Sequence, residues 1–101
     1  MRSRYYSVYI LTNLLRTVLY TGVTNNLEQR IIEHYANRGL KKSFTSKYNV
    51  YYLLYYEDHQ YINDAIAREK EIKSWRRERK MKLINQFNPS LTFLNEKLFG
   101  Q

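Results

Sequence analysis

The sequence predicts an α+β fold: a small three-stranded, mostly antiparallel sheet flanked by helices, in the order β-β-α-β-α-α. Three observations carry that expectation. A hairpin pattern fills residues 5–23, three stretches repeat apolar residues at helical spacing, and a run rich in β-formers, residues 49–57, separates the first helix from the other two. A sheet with apolar faces must be covered, and helices on its faces give a layered fold. The 101 residues fit one domain, with a core from about residue 5 to about residue 95 and no internal repeat or linker.

The stretch "YYSVYILT", residues 5–12, alternates as a strand does, with Val8 and Ile10 on one side and Tyr9 and Leu11 on the other. Asn13-Leu14-Leu15-Arg16 reads as a short loop with Asn13 starting the turn, and "TVLYTGV", residues 17–23, as the return strand. Pairing Ile10 with Leu19 and Val8 with Thr21 sets Tyr9 opposite Tyr20. In "TNNLEQRIIEHYANRG", Thr24, Asn25 or Asn26 can cap a helix and Gly39 can end it. Leu27, Ile31 and Tyr35 form the expected buried face, while Arg30 and His34, four residues apart, lie along one border of it. Residues 40–48 read as a polar, basic connection and "NVYYLLYYE", residues 49–57, as a third strand buried on both sides. Asp58-His59-Gln60 reads as a turn. Helices from about Tyr61 to Ser74 and from about Arg76 to Phe87 follow, the second stopped by Pro89, and the apolar residues of the tail are expected to fold back.

Composition narrows the function. Lys and Arg number 17 against 9 Asp and Glu, for a net charge of +8 and a pI near 9.8, so a polyanionic partner is favoured. Eleven tyrosines suit strands and also base stacking. The absence of cysteine excludes disulfides and thiolate metal sites. No apolar run reaches transmembrane length, and the opening Met-Arg-Ser-Arg-Tyr-Tyr lacks a signal-peptide core, so a cytoplasmic protein is expected. Residues 68–82, "REKEIKSWRRERKMK", hold eight Lys and Arg against three Glu, an excess too one-sided for complete internal pairing.

Glu69 is the residue out of place. Ile62, Ala65, Ile66 and Ile72 make an apolar stripe, and Glu69 falls inside it because Ala65, Glu69 and Ile72 stand at i, i+4, i+7. A carboxylate on a buried face needs a partner. Two readings stay open: a structural one, with a salt bridge to Arg30 or a lysine or a stripe edge that reaches solvent, and a carboxylate at the foot of a cleft holding a metal ion. One carboxylate completed by water and a substrate phosphate is a Mg²⁺ pattern.

Taken in order, these residues resemble the GIY-YIG nuclease family. The two tripeptides of its name appear as Ser7-Val8-Tyr9 and Tyr20-Thr21-Gly22, with Ser7 in place of the first Gly and Thr21 in place of the middle Ile. Then come "GVTNNLEQRIIEHY" with Arg30 and His34, "FTSKYNV", "YYE", "AIAREKEIKSW" with Glu69, and "NP" with Asn88. The series runs from about Tyr5 to Asn95. It looks most like small stand-alone members related to the GIY-YIG domain of the bacterial excision-repair nuclease.

The resemblance implies hydrolysis of phosphodiester bonds in DNA, structured or damaged DNA in repair or recombination, by an endonuclease using Mg²⁺ or Mn²⁺. It implies Glu69 as the metal ligand and Arg30 on the phosphate, whose oxygens a guanidinium fork fits. Tyr9 is favoured as general base, with Tyr20 orienting or sharing, His34 as the group that holds or relays a proton or positions the phosphate, and Asn88 as support. Two alternatives stand beside it: a non-catalytic nucleic-acid-binding module on the same scaffold, and a protein-binding surface built of tyrosines, which the charge disfavours.

Overall fold

The computed structural model describes residues 5–40 and 43–96. Its elements are β1 (Tyr6–Thr12), β2 (Leu19–Thr24), α1 (Leu27–Ala36), α2 (Phe44–Lys47), β3 (Tyr52–His59), α3 (Ile62–Lys73) and α4 (Arg77–Phe87). The sheet is antiparallel with strand order β2-β1-β3, so the α+β expectation holds, with one short helix added. Being central, β1 is buried on both faces from Ser7 to Thr12. Its even residues Val8 and Ile10 pack with Leu54, Ala65, Ile72 and Ile84 beneath α3 and α4. Its odd residues Tyr9 and Leu11 pack with Leu27, Ile31, Val50 and Leu53 beneath α1.

The hairpin register differs from the expected one by two residues. Tyr9 pairs with Gly22, Ile10 with Thr21 and Leu11 with Tyr20. The connection is longer than a four-residue loop because Asn13 organises it: its carboxamide oxygen accepts from the backbone N–H of Thr17 at 2.8 Å and Val18 at 3.1 Å. Arg16 takes a left-handed conformation, φ 59°, and its guanidinium donates to the Leu91 carbonyl at 3.0 Å while stacking on Phe93 at 4.1 Å. An even shift keeps every side chain on its face, so Tyr9 and Tyr20 still share one.

Other expectations shift at their edges. Asp58 and His59 belong to β3 and pair with Ser7 and Tyr6 instead of turning, helped by a 2.7 Å hydrogen bond from the Ser7 hydroxyl to Asp58. Opposite Ile10 and Leu11 the β3 register skips Leu54, a bulge that breaks the alternation and puts the neighbours Leu54 and Tyr55 on the same face. On α1 the buried residues are Leu27, Ile31 and His34, while Tyr35 is about half exposed and packs edge-on against Tyr51. Ile62 is likewise exposed, which leaves Ala65 and Ile72 as the buried part of the α3 stripe. Within the expected connection of residues 40–48, Lys41 and Lys42 lie outside the described residues, as does the tail from residue 97 onward. Before that point the tail does fold back: Leu94 is buried and its N–H donates to the Leu53 carbonyl at 2.8 Å.

Asn88 closes α4. Its amide nitrogen donates to the carbonyls of Leu54 at 3.1 Å and Thr92 at 2.8 Å, and its oxygen accepts from the Thr92 N–H and hydroxyl. With only 6% of its surface exposed, Asn88 ties the end of α4 to β3. Asn88→Ala is expected to cost roughly 2–4 kcal/mol, because buried carbonyls lose their donor. Urea denaturation measures this, and a parental midpoint would mean that the tie is dispensable.

Candidate active site

Tyr9 is placed by two short-range facts. Its alternation on β1 turns it toward α1, and its partner across the hairpin is a glycine. A Cβ on Gly22 would lie 2.5 Å from both the Cζ and the Oη of Tyr9, so the ring rests on the bare Cα of Gly22. The need for glycine here is steric, not conformational. Tyr9 is 1% exposed.

α1 brings up the next two side chains. Its N-cap is Asn26, whose side chain accepts from the Gln29 N–H at 3.1 Å, with Glu28 in the first turn complementing the helix dipole. One turn further on, Arg30 Nε donates to Tyr9 Oη at 3.4 Å. His34 Nε2 lies 3.2 Å from the same oxygen. Tyr20 completes the cluster, with ring centroids 6.4 Å from Tyr9 and 5.9 Å from His34. A cavity of about 340 Å³ opens beside it, lined by Tyr20, Arg30, Glu33, His34, Phe44 and Thr45 among others. Arg30 is largely exposed and divides its fork between Tyr9 and Glu33, the latter at 3.3 Å.

The electrostatics hold two neutral groups at the centre. Burial pushes the Tyr9 phenol up to about 12, partly offset by the Arg30 hydrogen bond, with the charges of Tyr20 and Glu69 adding to the rise. Burial, then the Arg30 cation, pull His34 down to about 4. At neutral pH a protonated phenol therefore faces an uncharged imidazole.

Glu69 approaches from α3, near enough for its charge to act on Tyr9. Its side chain is 12% exposed and pairs with Lys73 at 2.5 Å, so the lysine salt bridge, one of the two readings of this residue, is formed. Among the described residues no group of three or more His, Cys, Asp or Glu converges on a metal position. The donor set is one hard carboxylate oxygen beside a phenol. That fits a Mg²⁺-type ion whose other ligands are water and substrate oxygens, once Lys73 yields.

The structure thus gathers Tyr9, Tyr20, Arg30 and His34 and sets Glu69 at their edge. The Asn88 amide is engaged elsewhere, in its bonds to Leu54 and Thr92. Two residues to which the sequence pattern gives no role also join the cluster. Thr45 lies 3.1 Å from His34 Nδ1, and Phe44 stacks on Tyr20 at 6.2 Å. Both sit on α2, which falls in the stretch "FTSKYNV" and is capped by the serine pair Ser43 and Ser46.

A family model of the GIY-YIG catalytic domain matches residues 5–83. Among similar curated proteins, a UPF0213 protein of Staphylococcus haemolyticus is 41% identical over 68 residues, covering 67% of this chain and 80% of that protein. One of Staphylococcus saprophyticus is 38% identical, with the same coverage. One of Haloquadratum walsbyi is also 38% identical, covering 67% of this chain and 74% of that protein. No solved structure gives a significant match.

The packing around Tyr9 has a measurable consequence. Gly22→Ala should cost roughly 1–3 kcal/mol as an overpacking change, and the penalty should shrink in a Tyr9→Leu background, where no ring stands over residue 22. Thermal melts of the four proteins test the coupling; additive effects would show that the ring has slack. For His34 the sign is set by its depressed pKa. The unfolded chain takes up a proton between about pH 6.5 and pH 4 that the folded chain refuses, so stability present above that window falls as pH drops through it. His34→Gln should flatten the fall in melting temperature between about pH 7 and pH 5, above the range where carboxylates titrate.

Proposed function

We infer from one premise, that the chain belongs to the GIY-YIG catalytic domain family of nucleases, and from the geometry above, that it hydrolyses phosphodiester bonds in DNA with the help of a divalent cation. The observation that carries this reading is a buried phenol held between an arginine and a neutral histidine, with a carboxylate at its edge. Phosphodiester hydrolysis needs a site for a water's proton, charge on the phosphate and relief for the departing oxygen.

Arg30 supplies the phosphate contact. It is the exposed member of the cluster, and its link to Glu33 is an exposed i, i+3 pair of the weak kind a phosphate can displace. Tyr9 and His34 handle the proton. The Tyr9 oxygen accepts it from the attacking water while its own proton moves to His34 Nε2; the water oxygen bonds to phosphorus, and the 3′ oxygen departs and takes a proton from solvent. In the free protein that proton stays on Tyr9, because burial raises the phenol and lowers the imidazole. A phosphate on Arg30 narrows the difference between them, because the Arg30 cation is one of the two causes that hold His34 low. Tyr20 covers the pair on the solvent side and orients the water. Glu69 would hold the Mg²⁺ or Mn²⁺, which when bound supplies Lewis-acid charge at a phosphate oxygen.

The basic surface supports nucleic acid as the partner. The cations of α4 lie on the helices that cover the other face of the sheet, the face of Val8 and Ile10, so they bear on binding more than on chemistry. No helix among the described residues is long and apolar enough to cross a membrane. A role in repair or recombination is consistent with branched or damaged substrates.

The test is cleavage of a panel of branched, nicked, flapped and single-stranded DNA with Mg²⁺ or Mn²⁺. Glu69→Gln is expected to abolish cleavage while leaving DNA binding nearly intact. Tyr9→Phe is expected to lower the rate by about 10²- to 10⁴-fold, the contribution of a general base, and Tyr20→Phe by less. Undiminished cleavage by Glu69→Gln would remove the metal assignment, and parental rates for both Phe variants would reduce the tyrosines to packing.

A further inference from the structure

α2 has a role that the nuclease reading does not assign. Two neutral tautomers of His34 fit the distances: Nε2 accepts from Tyr9 while Nδ1–H donates to Thr45, or the reverse. Both ends of the surrounding chain of hydrogen bonds choose between them. At one end stands Arg30, which can only donate, to Tyr9 Oη. At the other end the Ser46 hydroxyl meets the Ser43 carbonyl at 3.3 Å, and a carbonyl can only accept.

Between these ends one consistent direction satisfies every link, and it is the direction the Tyr9 end requires. Ser46 spends its proton on the carbonyl, so at 3.2 Å it accepts from the Ser43 hydroxyl. Ser43 then accepts from the Thr45 hydroxyl at 3.2 Å, and Thr45 accepts from His34 Nδ1–H at 3.1 Å. Nε2 is left bare, and the Tyr9 phenol donates to it at 3.2 Å. The reverse tautomer would leave the Tyr9 proton, on a residue 1% exposed, without an acceptor, since its oxygen would take protons from both Arg30 and His34. A buried donor left unmade is a cost that folded proteins avoid.

We propose that Thr45, held by the Ser43–Ser46 capping box of α2, is a positioning residue that fixes His34 as the Nδ1–H tautomer and so makes Nε2 the proton acceptor facing Tyr9. Thr45 reaches Tyr9 through the His34 ring and acts through it. It is 6% exposed, and α2 is anchored beside α1 by the hydrogen bond from Gly39 N–H to the Ser46 carbonyl at 3.3 Å. Gly39 occupies the left-handed conformation, φ 78°, at the bend that turns the chain from α1 toward α2. The spacing Ser43-Phe44-Thr45-Ser46 thereby sets one proton on a histidine of the preceding helix, much as a partner on the second ring nitrogen sets the tautomer in other histidine sites.

The tautomer belongs to the free protein, while only its consequence for cleavage rests on the nuclease reading, so the two can fail separately. Nitrogen-15 NMR of the His34 ring near pH 7, where the imidazole is neutral, is expected to give a protonated Nδ1 and a bare Nε2. Thr45→Val, which keeps the shape and loses the hydroxyl, should lose that preference and cut cleavage by up to about 10²-fold, and Thr45→Ser should restore both. A parent protein with Nε2 protonated overturns the proposal, as does a Thr45→Val protein that keeps Nδ1–H in full. If Thr45→Val does not fold by thermal melt, the parent spectrum and Ser46→Ala decide: an unchanged tautomer population in Ser46→Ala overturns the directed chain. A parent that shows the tautomer and cleaves no DNA leaves the positioning role standing and removes the nuclease reading.

Discussion

The Tyr9 phenol sits where three constraints meet. Gly22 lies beneath its ring, and its oxygen is bracketed by Arg30 and His34. Satisfying all three fixes how β1, β2 and α1 lie against one another. β1 must be central, or the ring would be wet and its phenol would not be held near 12. β2 must pair in the register that puts Gly22 opposite residue 9, since any side chain there would collide with the ring. α1 must turn its Arg30–His34 border, one helical turn long, toward β1 and not toward solvent. The packing on this side of the sheet is therefore also the arrangement of the site.

The same crowding makes the site electrically quiet. Burial penalises charge on both Tyr9 and His34, and the Arg30 cation reinforces the effect on the imidazole. Neutral donor and neutral acceptor then share one hydrogen bond, which in a dry setting is stronger than it would be in water. The exposed charge belongs to Arg30, which is free to change partners at the surface. An anion arriving there alters the field on His34 without moving any buried atom. Binding and proton affinity are thus linked through one guanidinium.

Much of this is readable in the sequence, and the rest is hidden for physical reasons. Alternation in "SVYIL" and apolar spacing in "LEQRIIEHY" give the sheet and α1, because periodicity reports burial directly. Glu69 stands out because a charge inside a stripe breaks a pattern. The register of the hairpin is not legible: it depends on Asn13 bonding two backbone N–H groups and on Arg16 in a left-handed turn, and neither leaves a periodic mark. Tyr35 and His34 compete for the buried border of α1, and the decision lies with Tyr51 across the groove and Thr45 on α2. α2 has four residues, too few for any period, so its contribution to the site shows only in three dimensions. Asn88 matches a family position, but nothing in sequence spacing reveals that its amide is engaged by Leu54 and Thr92.

The two faces of the sheet divide the labour, and Glu69 is where they meet. On the α3 side, Glu57 gathers Tyr55, His59 at 2.5 Å and Arg68 at 3.0 Å. Burial alone would raise that carboxyl, yet the hydrogen bonds from Tyr55, His59 and Arg68 outweigh it and hold it low. The ionised cluster clamps α3 to β3 through Arg68, which also reaches Glu71 and lies over Trp75. Glu69 is the next residue along. Its backbone is set by this clasp, while its carboxylate, balanced by the half-exposed Lys73, can exchange that partner. A rigid backbone carrying an exchangeable ion pair would suit the metal-holding role proposed for Glu69. The strong, closed network beside it keeps Glu69 in place so that Glu69 itself need not be strongly held.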